Sequence, residues 1–413
     1  MNAAPAPPVL RPRTPGLKGW INDHLLILVG ILLHILRETR PILRIGKTCF
    51  VTRYDDVREL LAADAWFQVR YQNTLGVVTD GQPFILSMTE GSGPDVDALR
   101  SVILPQDLSH LAHRVETEAE AIVANANGRL DVVGGLSRQL SFDFLTAYLG
   151  LSAIPQAELR AWSTRLFEYV FFGGGPALAG EAAAMAPLLR AAIDAEIARA
   201  KSAKAGGDTV LARCLRRQAE GDARFTDTWI RTNLAGLIVG GPPQPPVVVP
   251  HMLDQLLRRP EALASACAAA RVDDDDLLYG HLLEALRFRP LAPAILRVTP
   301  RDTVLAIGTG RDAHIPAGTK IFVGIGSAMQ DPRRLPDPAG FDPRRPRDVY
   351  LHFGLGVHRC FGRFINQATL PMMLKPLLKR SGLRRAPGKA GRMAVNGPFP
   401  SALWVTFDAE TGA

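Results

Sequence analysis

The chain has 413 residues, 47% of them apolar and 21% charged, with a formal net charge of +8. That apolar content supplies a large core and excludes a chain too polar to fold. The cations are mostly scattered arginines without interleaved aromatics, so nucleic acid is not expected as a partner. Cys49, Cys214, Cys267 and Cys360 show no CxxC or zinc-type spacing. This argues against a disulfide framework and for a reducing, cytoplasmic setting.

Residues 1–15 are proline-rich without a secretory pattern and read as a disordered tail extending to residue 17. Residues 25–36 are strongly apolar but only about half the roughly 20 residues a bilayer crossing requires. They read as a first helix, amphipathic or buried, with peripheral membrane contact the lesser alternative. Residues 48–53 have strand character, and 54–63 follow as a short helix. Residues 84–88 lead into a loop and a helix near 97–103. Helical periodicity covers 108–127, 136–149, 156–172 and 183–204. Gly173-Gly174-Gly175-Pro176 separates the last two. Residues 228–239 read as a long helix that runs into Gly240-Gly241-Pro242-Pro243-Gln244-Pro245-Pro246. The four prolines remove four donors, and each costs about 3 kcal/mol in a helix interior. The helix must therefore break or bulge there. A helix over 277–288 puts Glu284 and Arg287 on one face, able to form a charge-assisted unit with a third group. Short strands dominate from 292 to 344, with a turn at 315–319 entering a strand at 320–324.

Phe353-Gly354-Leu355-Gly356-Val357-His358-Arg359-Cys360-Phe361-Gly362 sets one cysteine in a glycine-rich loop ahead of an apolar stretch. The glycines allow a tight turn. Backbone N–H groups at a helix start favour a thiolate, which suits an iron ligand. A glycine loop around a structural cysteine is the plainer alternative. The spacing F-x-x-G-x-H-x-C-x-G resembles the heme-binding loop of the cytochrome P-450 superfamily. The likeness runs from about Val51 to the C-terminus, and includes Ser327-Ala328-Met329-Gln330-Asp331-Pro332 and Phe341-Asp342-Pro343-Arg344-Arg345-Pro346 as meander signatures.

The resemblance implies a mainly α fold with a smaller β region. This is a triangular prism forming one catalytic domain, 18–413, with heme between a long distal helix and the cysteine-loop helix. It implies heme b (iron-protoporphyrin IX), with Cys360 as the iron ligand and Phe353, Gly356 and Gly362 shaping its loop. His358, Arg297 and Arg100 would pair with propionates, although Val96 stands where many bacterial members carry histidine. Glu284 and Arg287 would hold the meander. Gly173 to Pro176 would belong to a mobile lid, and 397–407 to a hairpin whose tip lines the pocket. A hydrophobic substrate would meet Ile238, Pro243, Ile295, Phe171, Phe172 and Phe399. The proximal side would receive an acidic ferredoxin or flavodoxin, and the cations Arg333, Arg334, Arg344, Arg345, Arg347, Arg359 and Arg363 suit that role or an ordinary solvated face.

The pattern breaks on the distal side. Monooxygenase members follow the helix glycines with an acid and an alcohol that deliver protons to dioxygen; here Gly240 and Gly241 are followed by Pro242 and Pro243. Three readings follow. In the first, the oxidant already holds an O–O bond, as in hydrogen peroxide or a fatty-acid hydroperoxide, and Gln244 hydrogen-bonds it. In the second, a monooxygenase uses water or substrate as its proton relay. In the third, the protein binds heme without turnover. Pro371 and Pro376 are expected to kink the helix after Cys360.

Overall fold

The computed structural model describes residues 16–63, 67–69, 72–84, 93–173, 175–203 and 207–409. Residues 1–15 of the expected tail, 85–92 of the expected loop, and Gly174 lie outside this set. The helices in chain order are α1 Gly16–Thr39, α2 Tyr54–Ala62, α3 Gln72–Thr79, α4 Gly93–Arg100, α5 Asp107–Asn125, α6 Gln139–Leu149, α7 Gln156–Phe171, α8 Pro176–Ser202, α9 Val210–Ala219, α10 Asp227–Gly240, α11 Pro245–Leu257, α12 Pro260–Arg271, α13 Asp275–Phe288, α14 Ile325–Ala328 and α15 Arg363–Lys379. The strands are β1 Ile42–Ile45, β2 Thr48–Val51, β3 Gln68–Val69, β4 Arg129–Asp131, β5 Ile295–Val298, β6 Thr303–Leu305, β7 Ala313–Ile315, β8 Lys320–Val323, β9 Arg384–Arg385, β10 Ala394–Asn396, β11 Phe399–Ala402 and β12 Trp404–Thr406. The fold is mainly helical with small sheets, as the sequence implies.

The described residues divide into two compact units, the first within 71–110 and 138–245, the second within 14–70, 111–137 and 246–413. In the first unit α10 packs against α3, α6, α7, α8 and α9. Its sequence accounts for that place. Thr226 caps it by accepting from the Trp229 N–H at 3.1 Å, a cap worth about 1 kcal/mol. Ile230, Leu234, Ala235, Ile238 and Val239 are buried on several sides of the helix, as a central helix requires.

In the second unit the main sheet runs β1-β2-β8-β5-β3, with β2 and β8 parallel and the other neighbours antiparallel. β2 buries alternate residues, Cys49 and Val51, the signature of a half-buried strand. α2 buries Val57, Leu60 and Leu61 at helical spacing and opens with Asp55 and Asp56, which suit a positive helix N-terminus. These residues form one core with Ile321, Val323, Met329 and Leu351, and Phe353 and Leu355 pack onto it. The cysteine loop is thereby anchored at its start.

One expectation changes, and one helix spans two prolines. A seven-residue π-helix, Val132–Arg138, precedes α6, with the Ser137 hydroxyl donating to the Val132 carbonyl at 2.8 Å. α15 runs as one helix through Pro371 and Pro376. Its packing against α12 and α13, with Met373, Leu374, Leu377 and Leu378 fully buried, outweighs the two missing N–H groups.

Candidate functional site

The cysteine loop is set by its own backbone. The Cys360 N–H donates to the Phe353 carbonyl at 2.8 Å, and Arg359 N–H to Gly356 at 3.1 Å. Gly354 and Gly356 both sit at φ +66°, left-handed backbone that disfavours a side chain. α15 starts directly after Gly362, whose N–H points at the sulfur. Burial pushes the half-buried Cys360 thiol up, while that N–H and Arg363 pull it down. Bound iron would take the proton outright.

His358 is half-buried, and its Nδ1 is buried with no hydrogen-bond partner among the described residues. Burial, and then Arg297, hold the imidazole down at about 4. Arg297 lies on β5 and is 5% exposed. A thiol met by an N–H, an orphaned imidazole nitrogen and a buried guanidinium fit a heme. Cys360 would bind its iron, and His358 and Arg297 its propionates. Arg100 is different. It ends α4 with an exposed side chain, 3.8 Å from Asp97. The half-buried Val96 adds no polar group there.

Behind the loop lies the Glu284–Arg287 pair, both fully buried. Arg287 Nε and Nη2 donate to the two Glu284 oxygens at 2.9 and 2.7 Å. Its remaining donors reach the carbonyls of Met329, Pro338 and Gly340. The expected third group is two groups. Arg345 Nε and the Tyr350 hydroxyl both donate to Glu284, at 3.2 and 2.9 Å, and the Asp342 N–H adds a bond at 3.0 Å. Desolvation raises the Glu284 carboxyl, but its bonds from Arg287 and Tyr350 leave it lowered. Arg345 is therefore not part of a basic surface. Its guanidinium is consumed indoors, with further bonds to the Pro336 and Asp337 carbonyls. Arg333 pairs with Glu38 and Asp331, and Arg347 with Asp276. Arg334, Arg344 and Arg359 remain exposed, and Arg363 half-buried.

The proline segment breaks the helix where expected. α10 ends at Gly240, and α11 begins at Pro245. In an unbroken helix each carbonyl accepts from the N–H four residues on. Pro242, Pro243, Pro245 and Pro246 remove the donors due to Ile238, Val239, Gly241 and Pro242. Three carbonyls in the segment are capped by other means. The Gln244 N–H turns to Gly241 at 3.1 Å. The Gln244 side-chain amide donates to Gly240 at 2.5 Å. The Ser141 hydroxyl, on α6, donates to Pro242 at 2.9 Å. Ile238 and Val239 gain no replacement among the described residues. Ser141 was not singled out in the sequence; no local pattern links it to a carbonyl 101 residues away. Gly241 is sterically required. A Cβ there would lie 2.9 Å from the Leu237 carbonyl oxygen and 3.4 Å from the Leu145 side chain, whereas one on Gly240 would meet nothing.

The apolar candidates divide between the units. Ile238 and Pro243 are buried in the first. There too, Phe171 and Phe172 are half-buried, with ring centroids 4.9 and 5.8 Å from Phe167. Ile295 on β5 packs on the sheet core of the second. Phe399 opens β11, paired with Asn396 across the expected hairpin.

Comparison with known proteins agrees with this geometry. The family model for cytochrome P450 matches residues 193–403, just over half of the chain. A bifunctional dioxygenase–epoxy alcohol synthase of Fusarium oxysporum is 33% identical over 155 residues, 38% of this chain, and the match spans only 12% of that longer protein. The cytochrome P450 monooxygenase PikC of Streptomyces venezuelae is 28% identical over 341 residues, covering 80% of this chain and 77% of PikC. The crystal structure of P450BioI, in complex with an acyl carrier protein carrying hexadec-9Z-enoic acid, superposes with a TM-score of 0.79 at 20% identity, covering 94% of this chain and 99% of that one. With a cysteine loop, a buried Glu-x-x-Arg pair and this match in hand, the chain belongs to the cytochrome P450 family of heme-thiolate oxidoreductases.

Proposed function

We propose that this P450 takes a hydrophobic hydroperoxide, or a peroxide, as its oxidant. The observation that carries this is the chemistry of the helix break. From Gly240 to Pro246 the segment holds carbonyl acceptors and one amide, and no carboxylate or hydroxyl side chain. Reductive use of dioxygen needs protons delivered at the distal side. An amide is not an acid, and one N–H of Gln244 is already bound to Gly240.

Bound heme would supply the redox-active iron, and a thiolate ligand favours O–O cleavage. The protein orients and holds. Cys360 is the ligand, with Gly362 N–H steadying its sulfur; His358 and Arg297 anchor the propionates. Gln244, with Gly240 and Gly241, would be the polar group for the peroxide oxygens, through its remaining N–H and Oε1. Rearrangement of a hydroperoxide conserves every atom. The O–O bond breaks and one oxygen moves to a carbon of the same molecule, so no reductant enters the balance. The Fusarium relative, an epoxy alcohol synthase by name, supports this reading.

A second reading rests on PikC, the monooxygenase matched over most of the chain. Dioxygen would then be activated with electrons from an acidic ferredoxin or flavodoxin meeting Arg334, Arg344 and Arg359, with water or substrate as the relay. Anaerobic mixing of the ferric, heme-loaded protein with a linoleic acid hydroperoxide separates the two. Loss of the conjugated-diene absorbance without reductant is expected, and Gln244→Leu should slow it by about 10²-fold, in the range of one lost polar contact to reacting oxygen. Turnover only with ferredoxin, reductase and dioxygen would select the second reading, and none under either condition would leave a heme-binding protein without turnover.

A further inference from the structure

Helix α1 is apolar on two sides, and its own unit covers only one. Leu33, Leu36 and Arg37 turn inward. Arg37 donates to the Ser327 carbonyl, Ser327 Oγ donates to the Leu33 carbonyl, and Gly30 faces Pro293. The other side shows Trp20, Leu25, Leu28, Ile31, Leu32 and Ile35, with Ile31 at 54% and Ile35 at 53% exposure. Of the sixteen large apolar side chains that stand exposed among the described residues, nine lie between Leu17 and Ile35. Scattered exposure is ordinary; a contiguous face of this kind marks a contact surface. At 3.6 residues per turn and 1.5 Å rise, those nine positions fill a little under half the circumference over about 27 Å.

The charge pattern says what that face meets. Residues 1–23 include three cations, Arg11, Arg13 and Lys18, and one acid, Asp23. After the helix, Arg40, Arg44 and Lys47 are exposed, and Ile45 projects between the last two at 63% exposure. Glu38, the one acid in 24–47, is bound by Arg333 and Arg37, and its carboxyl is held down at about 2. In the sequence, cations thus flank the apolar stretch on both sides, and those that follow the helix are exposed. No described helix is long and apolar enough to cross a membrane.

We propose that α1 lies in the plane of an anionic lipid surface, its apolar side among the acyl chains and the bracketing cations at the headgroups. Trp20, near one end, suits the boundary between the two zones. The proposal is independent of which oxidant the heme uses, and its test does not read activity. Heme-loaded full-length protein is floated with vesicles of phosphatidylcholine alone or containing phosphatidylglycerol, at low and high salt. Flotation with the phosphatidylglycerol vesicles, weakened by salt, is expected. The double variant Ile31→Glu, Leu32→Glu should bind about tenfold less, through lost apolar burial, with an unchanged reduced-CO spectrum and melting profile. A wild-type chain that stays unbound overturns the proposal. So does a dimer, seen by light scattering, that does not float and that the double variant abolishes, since a second copy would then be the occupant. If the double variant loses its spectrum, Arg44→Glu with Lys47→Glu decides: affinity for phosphatidylglycerol vesicles should fall, and unchanged affinity overturns the proposal.

Discussion

The meander around Glu284 and the helix break around Gln244 solve one problem, loose backbone polar groups, in different ways. At Glu284, two arginines and a tyrosine are fully committed, and their donors reach the carbonyls of Met329, Pro336, Asp337, Pro338 and Gly340. At Gln244, of the four carbonyls that lose a donor, Gly241 gains the Gln244 N–H and Pro242 the Ser141 hydroxyl, while Ile238 and Val239 gain none among the described residues and the side-chain amide caps Gly240. The first region is a scaffold in which the Glu284 carboxylate is met by four donor groups. The second keeps spare hydrogen-bonding capacity, which the proposed peroxide-handling role would use.

The largest effect should come from Cys360→Ser, which tests the ligand itself. The reduced-CO band characteristic of thiolate ligation should disappear with all turnover, while a retained band would remove Cys360 from the site. Next is the scaffold. Glu284→Gln leaves Arg287 and Arg345 buried without their counter-charge, and breaking such a pair costs about 3–5 kcal/mol; urea unfolding of the heme-loaded protein should show it, and a loss below about 1 kcal/mol would mean the arginines find other acceptors.

Acid should reach both regions first through histidines, His251 past the break and His352 and His281 at the meander, all held below their usual value by burial. His251, on α11 just past the break, is buried, and burial together with Arg289 holds it down at about 3 against the pull of Asp254. Its folded value lies below its unfolded one, so the stability it provides is whole above about pH 6.5 and drains as pH falls toward 3. Between pH 7 and pH 4 that amounts to on the order of 3 kcal/mol. Glu284, also lowered, begins to lose its contribution only below its ordinary carboxylate value. A chemical-denaturation series against pH should therefore decline from pH 6.5, and His251→Gln should make that arm shallower, the rest being owed to His352, His281 and His358. A decline confined below pH 4.5 would contradict the assignment. The smallest effect belongs to Ser141→Ala, which frees the Pro242 carbonyl at a cost of about 1 kcal/mol, seen as a modest drop in melting temperature with the CO band intact.

Much of this molecule was legible in its sequence. The cysteine loop, the Glu-x-x-Arg pair, the end of α10 and the bounds of α2, α5, α7 and α13 to within about two residues follow from local rules such as periodicity, caps, and glycine or proline placement. The misses share a cause. Arg345 reads as one more surface cation in an arginine-rich stretch, yet it is buried against Glu284, 61 residues earlier. The exposed side of α1 reads like a core helix, because an apolar stripe carries no mark of what will cover it.

The sequence by itself determined the family chemistry, since a thiolate loop and a proline-broken helix depend on residues adjacent in the chain. Only the tertiary structure decided which charges are spent inside, which carbonyls are repaired by distant side chains, and which apolar face stays bare. Those outcomes depend on burial, and burial depends on what long-range folding sets against each surface.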